Sequence, residues 1–223
     1  MAGGQEVSVT ETTGYPFKET IRFTFQTKTK TRFPFHLRIP EWCKNPILSI
    51  NGIKTAVTSV KNIVVTEREW TDGDQVELSL PMDFRYSYWY ENSLGIERGP
   101  LVYALKIEEE WREVTKAGFD NTFWEVLPKS PWNYSLVKGE IEKNKLQVEV
   151  KSEIADNPWN LKNAPISVTT KGKRMPMWGI ERASAGKIPS PSWPPQPTEK
   201  QEEEIILIPY GCTTLRIAEF PVN

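Results

Sequence analysis

Apolar and polar residues alternate with a period of two along the first half of the chain. The clearest case is the segment from Phe33 to Trp42, and similar runs start near Val7, Ile21 and Val76. Successive side chains of a strand point to opposite faces, so this pattern predicts half-buried strands with Leu37 inside and Arg38 in solvent. The predicted core residues are Phe23, Phe25, Phe35, Leu37, Ile39, Leu78 and Leu80.

Turn residues separate these strands. Asn51-Gly52 stands between two apolar runs, and both positions of a type I′ turn need positive φ, so a β-hairpin is predicted there. Asp72-Gly73-Asp74 predicts a second such turn. Short strands joined by turns favour an all-β fold built as a β-sandwich.

The composition changes to charged residues between Lys106 and Ala117. We place a domain boundary here and predict two antiparallel β-sandwich domains, jelly-roll-like, over residues 1–110 and 111–223; a short helix capping the first sandwich is the alternative. The proline-rich stretch 188–198 predicts an extended surface loop. The strands predicted in the second half are 122–127, 132–137, 146–150, 166–170, 205–208 and 214–217.

Composition excludes several classes of partner. The 223 residues carry a net charge of -1, which gives no field to hold nucleic acid or an anionic membrane. No apolar run approaches the roughly 20 residues of a membrane helix. Cys43 and Cys212 fit one disulfide and two reduced thiols equally well, so the compartment stays open. Both are expected to be small buried apolar residues.

The titratable residues predict neither a catalytic nor a metal site. His36 is the single histidine and falls on the outer face of its strand. Carboxylates occur in pairs at 67/69, 72/74 and 108–110, as a glycosidase would need. These pairs stand in turns or charged runs, where we expect ordinary acidity.

Two residues are candidates for binding. In the aromatic run 84–90, residues 84, 86, 88 and 90 share one face and are expected in the core, which leaves Trp89 on the other face. Trp89 is interpreted as a glycan contact, an interdomain contact or ordinary packing. Arg98, in Arg98-Gly-Pro100, lies at a predicted corner and fits a buried or interdomain ion pair.

Several segments together resemble one family of enzymes. They are Phe33–Trp42, Ser49–Gly52, Arg68–Asp74, Leu78–Met82, Ile96–Tyr103 and Leu207–Pro221. In order and spacing they resemble the C-terminal β-sandwich region that follows the catalytic barrel of glycoside hydrolase family 127, the β-L-arabinofuranosidases, and of relatives such as family 146.

The resemblance implies that the catalytic residues belong to another part of the parent protein. Family 127 enzymes use a cysteine nucleophile on a zinc ion held by three cysteines and a glutamate of the helical barrel, and none of those roles transfers to a residue here. The chain is expected to be a non-catalytic accessory region without cofactor, whose partner is the parent's own barrel. Plant-type glycans and self-association remain open, as does a periplasmic or extracellular location for the parent. The alternative is an autonomous carbohydrate-binding module.

Overall fold

A computed structural model describes residues 4–115, 121–189 and 198–222. The chain divides into two compact units, Met1–Asp83 and Phe84–Asn223. The regular secondary structure of both consists almost entirely of antiparallel strands, which confirms the predicted all-β class. No described segment forms a helix with the length and apolar character needed to cross a membrane.

The first unit contains eight strands. They are β1 (Val7–Thr13), β2 (Thr20–Thr27), β3 (Thr31–Arg38), β4 (Ile47–Ile50), β5 (Ile53–Thr55), β6 (Ser59–Val60), β7 (Ile63–Trp70) and β8 (Gln75–Ser79). One sheet has the order β1-β2-β8-β4-β5 and the other the order β3-β7-β6. Buried residues from both sheets form one apolar cluster, as in a β-sandwich.

The core of the first unit follows the predicted register. Leu37 and Ile39 are buried and Arg38 is exposed, and Phe25, Leu78 and Leu80 are buried as well. Phe23 and Phe35 are partly buried and pack against this cluster. The alternation of apolar residues therefore specified which face of each strand turns inward.

Trp70 is the centre of the aromatic packing in this core. Its ring is fully buried and stacks on Phe25 with ring centroids 4.3 Å apart. The indole Nε1 donates a hydrogen bond to the backbone carbonyl of Phe33 at 3.0 Å. An indole buried in this way contributes apolar area while its one polar atom keeps a partner.

Of the two predicted turns, one is a hairpin. Asn51 and Gly52 have φ of 50° and 78° and join β4 to β5, which confirms the prediction. Asp72-Gly73-Asp74 also forms a turn, but it joins β7 to β8, which belong to different sheets. The chain therefore crosses between the sheets here, and the strands on either side do not pair.

The second unit contains the remaining elements. They are β9 (Phe84–Tyr88), β10 (Leu94–Arg98), β11 (Leu101–Leu105), β12 (Glu109–Val114), β13 (Phe123–Pro128), β14 (Tyr134–Leu136), α1 (Lys138–Glu142), β15 (Gln147–Val150), β16 (Ile166–Arg174), β17 (Ile180–Glu181), β18 (Ser184–Ala185), β19 (Glu202–Pro209) and β20 (Glu219–Phe220). Its main sheet has the order β14-β16-β19-β11-β10-β20, with β9 on β10 and β15 on β16. The pairs β12–β13 and β17–β18 are separate hairpins.

The division between the units lies between Asp83 and Phe84, earlier than the predicted 110/111. Strands β10 and β11 precede the predicted boundary, yet β11 pairs with β19 and β10 with β20 near the end of the chain. Charge alone suggested the later boundary, whereas long-range strand pairing decides which residues form one unit.

Other local predictions in the second half also differ from the structure. The charged segment after Lys106 forms the β12–β13 hairpin, and no capping helix occurs before residue 115. Thr214–Ile217, predicted as a strand, is irregular, whereas the short helix α1 was not predicted. Residues 190–197 of the proline-rich stretch, with Trp193, lie outside the described residues, as do residues 116–120.

Candidate binding surface on the second unit

Three consecutive aromatic residues lie in solvent where β9 turns into β10. Tyr88, Trp89 and Tyr90 are 71%, 59% and 55% exposed, and we call them the aromatic corner. The prediction that Trp89 faces outward agrees with the structure. The prediction that Tyr88 and Tyr90 belong to the core was wrong: Tyr88 is the exposed last residue of β9, and Tyr90 lies beyond the strand in the turn.

The turn at this corner uses unusual backbone conformations. A single 3₁₀ turn spans Tyr90–Asn92, and both Glu91 and Asn92 have φ of 54°. Left-handed conformations are uncommon outside glycine and cost energy for most residues. The chain thus reverses abruptly here and carries the neighbouring aromatic rings outward.

Trp89 is held against its own hairpin. Its indole Nε1 donates a hydrogen bond to Ser87 Oγ at 2.9 Å. A Cβ at Gly95, on the facing strand, would come within 2.7 Å of Ser87 Oγ and 3.2 Å of Trp89 Nε1. The absence of a side chain at Gly95 therefore makes room for the indole, and Trp89 presents a ring of fixed orientation.

Lys187 adds a charge beside the corner. Its ammonium lies 5.2 Å from the centre of the Tyr90 ring and 3.9 Å from Glu91 Oε1. A cation at this distance is attracted to the face of the ring. No local pattern predicts this contact, because Lys187 is almost 100 positions from Tyr90.

Arg98 lies at the other end of the same strand pair. In the β9–β10 ladder Tyr88 pairs with Leu94, whereas Arg98 pairs with Phe84. Four residues along a strand separate the two ends by about 13 Å. The two predicted binding residues are therefore not brought together.

The environment of Arg98 is an interior one. It is half-buried and lies beside the hydroxyl of Tyr103, whose ring is fully buried. Burial raises the pKa of Tyr103 to about 12, although the Arg98 guanidinium opposes that rise. The arginine thus provides a polar neighbour for a buried phenol, an arrangement that fits the predicted structural corner.

Asp74 and Glu109, two members of the predicted carboxylate pairs, have lowered pKa values. Burial would raise the pKa of Asp74, but hydrogen bonds from Thr71 and Asn51 and the nearby Arg68 guanidinium lower it overall. The pKa of Glu109 is also lowered, whereas ordinary acidity was predicted for these groups. Both are ionised at neutral pH, whereas a catalytic general acid must hold its proton.

Possible metal ligands are dispersed. Cys43 and Cys212 are buried free thiols in different units, and His36 is exposed on β3. Within the residues that the structure describes, no three His, Cys, Asp or Glu side chains come close enough to hold a metal ion. These residues do not fit a zinc site with several cysteine ligands.

Part of the chain matches a known family. Residues 2–82 match the family model described as the β-L-arabinofuranosidase, GH127 middle domain. This match spans the first unit. The model is that of a middle domain, so the predicted assignment to a C-terminal region is not confirmed, and neither is the resemblance to family 146. A search of curated proteins found no match.

Solved structures resemble the whole chain in fold. A GH127 β-L-arabinofuranosidase from Geobacillus stearothermophilus T6 has 22% identity and a TM-score of 0.63 over 99% of this chain and 31% of its own. A protein described as a glycoside hydrolase has 20% identity and a TM-score of 0.60, over 97% and 32%. A GH127 β-arabinofuranosidase has 19% identity and a TM-score of 0.62, over 98% and 32%. The chain thus spans about a third of the length of these proteins.

Proposed function

We propose that this chain is a non-catalytic accessory region of a glycoside hydrolase resembling the β-L-arabinofuranosidases. In the proposed arrangement it packs on a helical catalytic barrel that these 223 residues do not contain, and stabilises it. The observation that carries the proposal is the match of residues 2–82 to the GH127 middle domain. The fold likeness to about a third of each of three larger proteins also supports it.

The chemistry of the described residues is consistent with a non-catalytic role. The pKa values of Asp74 and Glu109 are lowered, and burial raises that of Cys212 to about 11. A thiol with such a pKa is a poor nucleophile at neutral pH. The general acid of a glycosidase is therefore not available from Asp74 or Glu109, and Cys212 is not an activated thiol nucleophile.

The aromatic corner is the surface that we assign to the barrel. Three exposed aromatic rings in sequence are unusual for a surface that only water contacts, and covering apolar area stabilises by about 25 cal/mol per Å². Trp89 is already fixed by Ser87 and Gly95, so docking would cost it little conformational entropy.

Two measurements on the purified chain test this proposal. We expect no turnover of an aryl β-L-arabinofuranoside and no zinc at stoichiometric amounts. We also expect light scattering to detect concentration-dependent association, which Trp89→Ser weakens and Trp124→Ser, a substitution of another exposed tryptophan, does not. A strictly monomeric chain would contradict docking through this corner, and turnover would contradict the accessory role.

The coding sequence around this region provides a separate test. An accessory region requires a barrel in the same polypeptide, recognisable by a Cys-Cys motif and a glutamate that could bind zinc. Its absence from the surrounding gene would favour the second candidate, an autonomous carbohydrate-binding module. The observation that favours this second candidate is a groove in the second unit that Trp111 and Trp159 line.

A further inference from the structure

A groove of about 500 Å³ lies in the second unit, and no residue of the aromatic corner lines it. Its walls come from the start of β12, the loop around Trp159, and the segment from Gly211 to Arg216. Trp111 and Trp159 both line it and are 52% and 46% exposed. We call it the tryptophan groove.

Glu109 fixes the first indole to the opposite wall. Its Oε2 accepts a hydrogen bond from Trp111 Nε1 at 3.1 Å. Its Oε1 accepts from the backbone N–H groups of Thr214 and Leu215, at 2.7 and 3.2 Å, and from the Thr213 hydroxyl at 3.2 Å. This carboxylate therefore acts as an anchor that joins β12 to residues 213–215, and its oxygens are already engaged.

Trp159 is fixed by close packing on a glycine. A Cβ at Gly211 would come within 2.8 Å of Trp159 Cε3 and 3.1 Å of Cζ3. The adjacent residue, Cys212, donates a weak hydrogen bond from Sγ to the Pro158 carbonyl at 3.4 Å. The position of the second indole thus depends on the missing side chain at Gly211.

The loop that carries Trp159 is internally braced. Asn160 Oδ1 accepts hydrogen bonds from the backbone N–H groups of Lys162 and Asn163, at 3.1 and 2.9 Å. Asn160 Nδ2 donates to the Asn157 carbonyl at 2.8 Å. A loop closed in this way presents Trp159 in a preorganised position, which reduces the entropy lost on binding.

Cationic donors line the same groove. Arg216 Nε donates to the Thr213 carbonyl at 3.0 Å, and its guanidinium carbon lies 4.6 Å above the Tyr210 ring. These contacts hold the guanidinium while leaving further N–H groups, since arginine has five. Lys162 is exposed at the groove and adds three donors.

We propose that the tryptophan groove binds a saccharide. A sugar ring offers two apolar C–H faces for stacking on flat indoles and a rim of hydroxyl oxygens for donors such as Arg216 and Lys162. Sites of this kind combine aromatic walls with a few placed polar groups. The site rests on the geometry of the groove itself and stands whether or not the chain docks on a barrel.

The hydrogen-bond donors of the groove fit two kinds of saccharide, one neutral and one acidic. Hydroxyl oxygens of a neutral arabino-oligosaccharide would accept from Arg216 and Lys162, and so would the carboxylates of an oligogalacturonide. Calorimetric titration of the intact chain with each ligand separates them. Binding of the acidic ligand should weaken steeply with added salt, whereas binding of the neutral one should not.

Substitutions in the groove give the decisive comparison. We expect Trp111→Ala and Trp159→Ala each to weaken binding about ten-fold, the size of effect expected for a lost stacked ring. Gly211→Ala should weaken it similarly, because it displaces Trp159 without removing either indole. Trp159→Phe should restore part of the affinity, since a smaller aromatic face remains.

Met177→Ala is the control, because Met177 is an exposed apolar residue of the same unit that lies outside both the groove and the aromatic corner. It should bind with wild-type affinity, and near-UV circular dichroism should show every variant folded. If neither saccharide binds at millimolar concentration, or if Met177→Ala weakens binding as much as the groove variants do, the assignment is wrong. Preferential binding of a proline-rich peptide, whose rings also stack on indoles, would overturn it as well.

Discussion

The two units place their tryptophans in different environments. In the first unit Trp70 is fully buried and Trp42 packs against the same core. Among the described residues of the second unit, Trp178 is buried and packs on Trp132, whereas Trp89, Trp111, Trp124 and Trp159 are exposed. The first unit thus uses its indoles for packing, whereas the second unit also presents several of them to solvent.

The match to a known family follows the same division. Residues 2–82, which form the cohesive first unit, match the family model, and that match does not extend into the second unit. A core built from period-two strands constrains its sequence at many positions, because each inward side chain must fit its neighbours. Exposed hairpins and loops carry fewer such constraints, so they are free to vary with function.

Replacing a buried indole should have the largest effect on stability. We expect Trp70→Ala to lower the free energy of unfolding by about 3–5 kcal/mol, because it leaves a cavity beside Phe25 and an unpaired carbonyl at Phe33. Guanidinium denaturation followed by circular dichroism measures this loss. The matched substitution in the second unit, Trp124→Ala, should cost less than about 1 kcal/mol. Equal losses would contradict the proposed difference between the units.

Each unit also contains a carboxylate that anchors a turn or loop through the hydrogen bonds it accepts. The pH dependence of stability compares the two carboxylates. In the first unit Asp74 accepts from Asn51 Nδ2 at 2.7 Å and from the Thr71 N–H at 2.9 Å. In the second unit Glu109 anchors residues 213–215. The pKa values of both carboxyls are lowered on folding, despite burial, by the hydrogen bonds they accept.

The direction of these pKa changes fixes the sign of the pH dependence. Stability from a lowered carboxyl pKa is present above the unfolded value, near 4, and is lost as pH falls through the folded value. Asp74→Asn should therefore lower the free energy of unfolding by roughly 1–3 kcal/mol at pH 7. It should also make stability depend less steeply on pH in the acid range, which is the acid limb of the stability profile. Glu109→Gln should lower the free energy of unfolding by a smaller amount, because the oxygen that remains still accepts hydrogen bonds from three donors. An acid limb for Asp74→Asn that superimposes on the wild type would contradict the anchoring role.

What the sequence predicted well is local. The strands of the first unit follow from alternation, and the β4–β5 hairpin follows from Asn51-Gly52, because both signals lie within a few residues of the structure they specify. The aromatic corner was only half predicted. The alternation with a period of two was expected to continue through Tyr90, but β9 ends at Tyr88. The turn that follows has positive φ at Glu91 and Asn92, without a glycine to indicate it.

What the sequence could not predict depends on distant residues. The backbone donors that lower the pKa of Glu109, in Thr214 and Leu215, lie more than 100 positions away, and Trp159 is 48 positions from Trp111. No spacing rule connects such residues; only the pairing of distant strands brings them together. The division at Asp83 depended on long-range pairing in the same way. A polar site formed by loops is therefore the part of the molecule for which a single sequence carries the least information.

The smallest expected difference between the units concerns their thiols. Burial raises the pKa of Cys43 in the first unit, and it raises that of Cys212 in the second unit to about 11. At pH 8 about one Cys212 thiol in a thousand would be ionised, and the thiolate is the reactive form. Folded protein should therefore react with neither position on the timescale of minutes, whereas unfolding in guanidinium should release two reactive thiols.

Single-cysteine variants distinguish the two positions. With Cys43→Ser and Cys212→Ser, the rate of alkylation can be followed as pH rises, by mass spectrometry of the folded chain. Cys43 should become reactive at lower pH than Cys212, because Cys212 is the more buried thiol and is engaged with the Pro158 carbonyl. Rapid alkylation of Cys212 at pH 8 would mean that the wall of the tryptophan groove opens readily, and would argue against a preorganised site there.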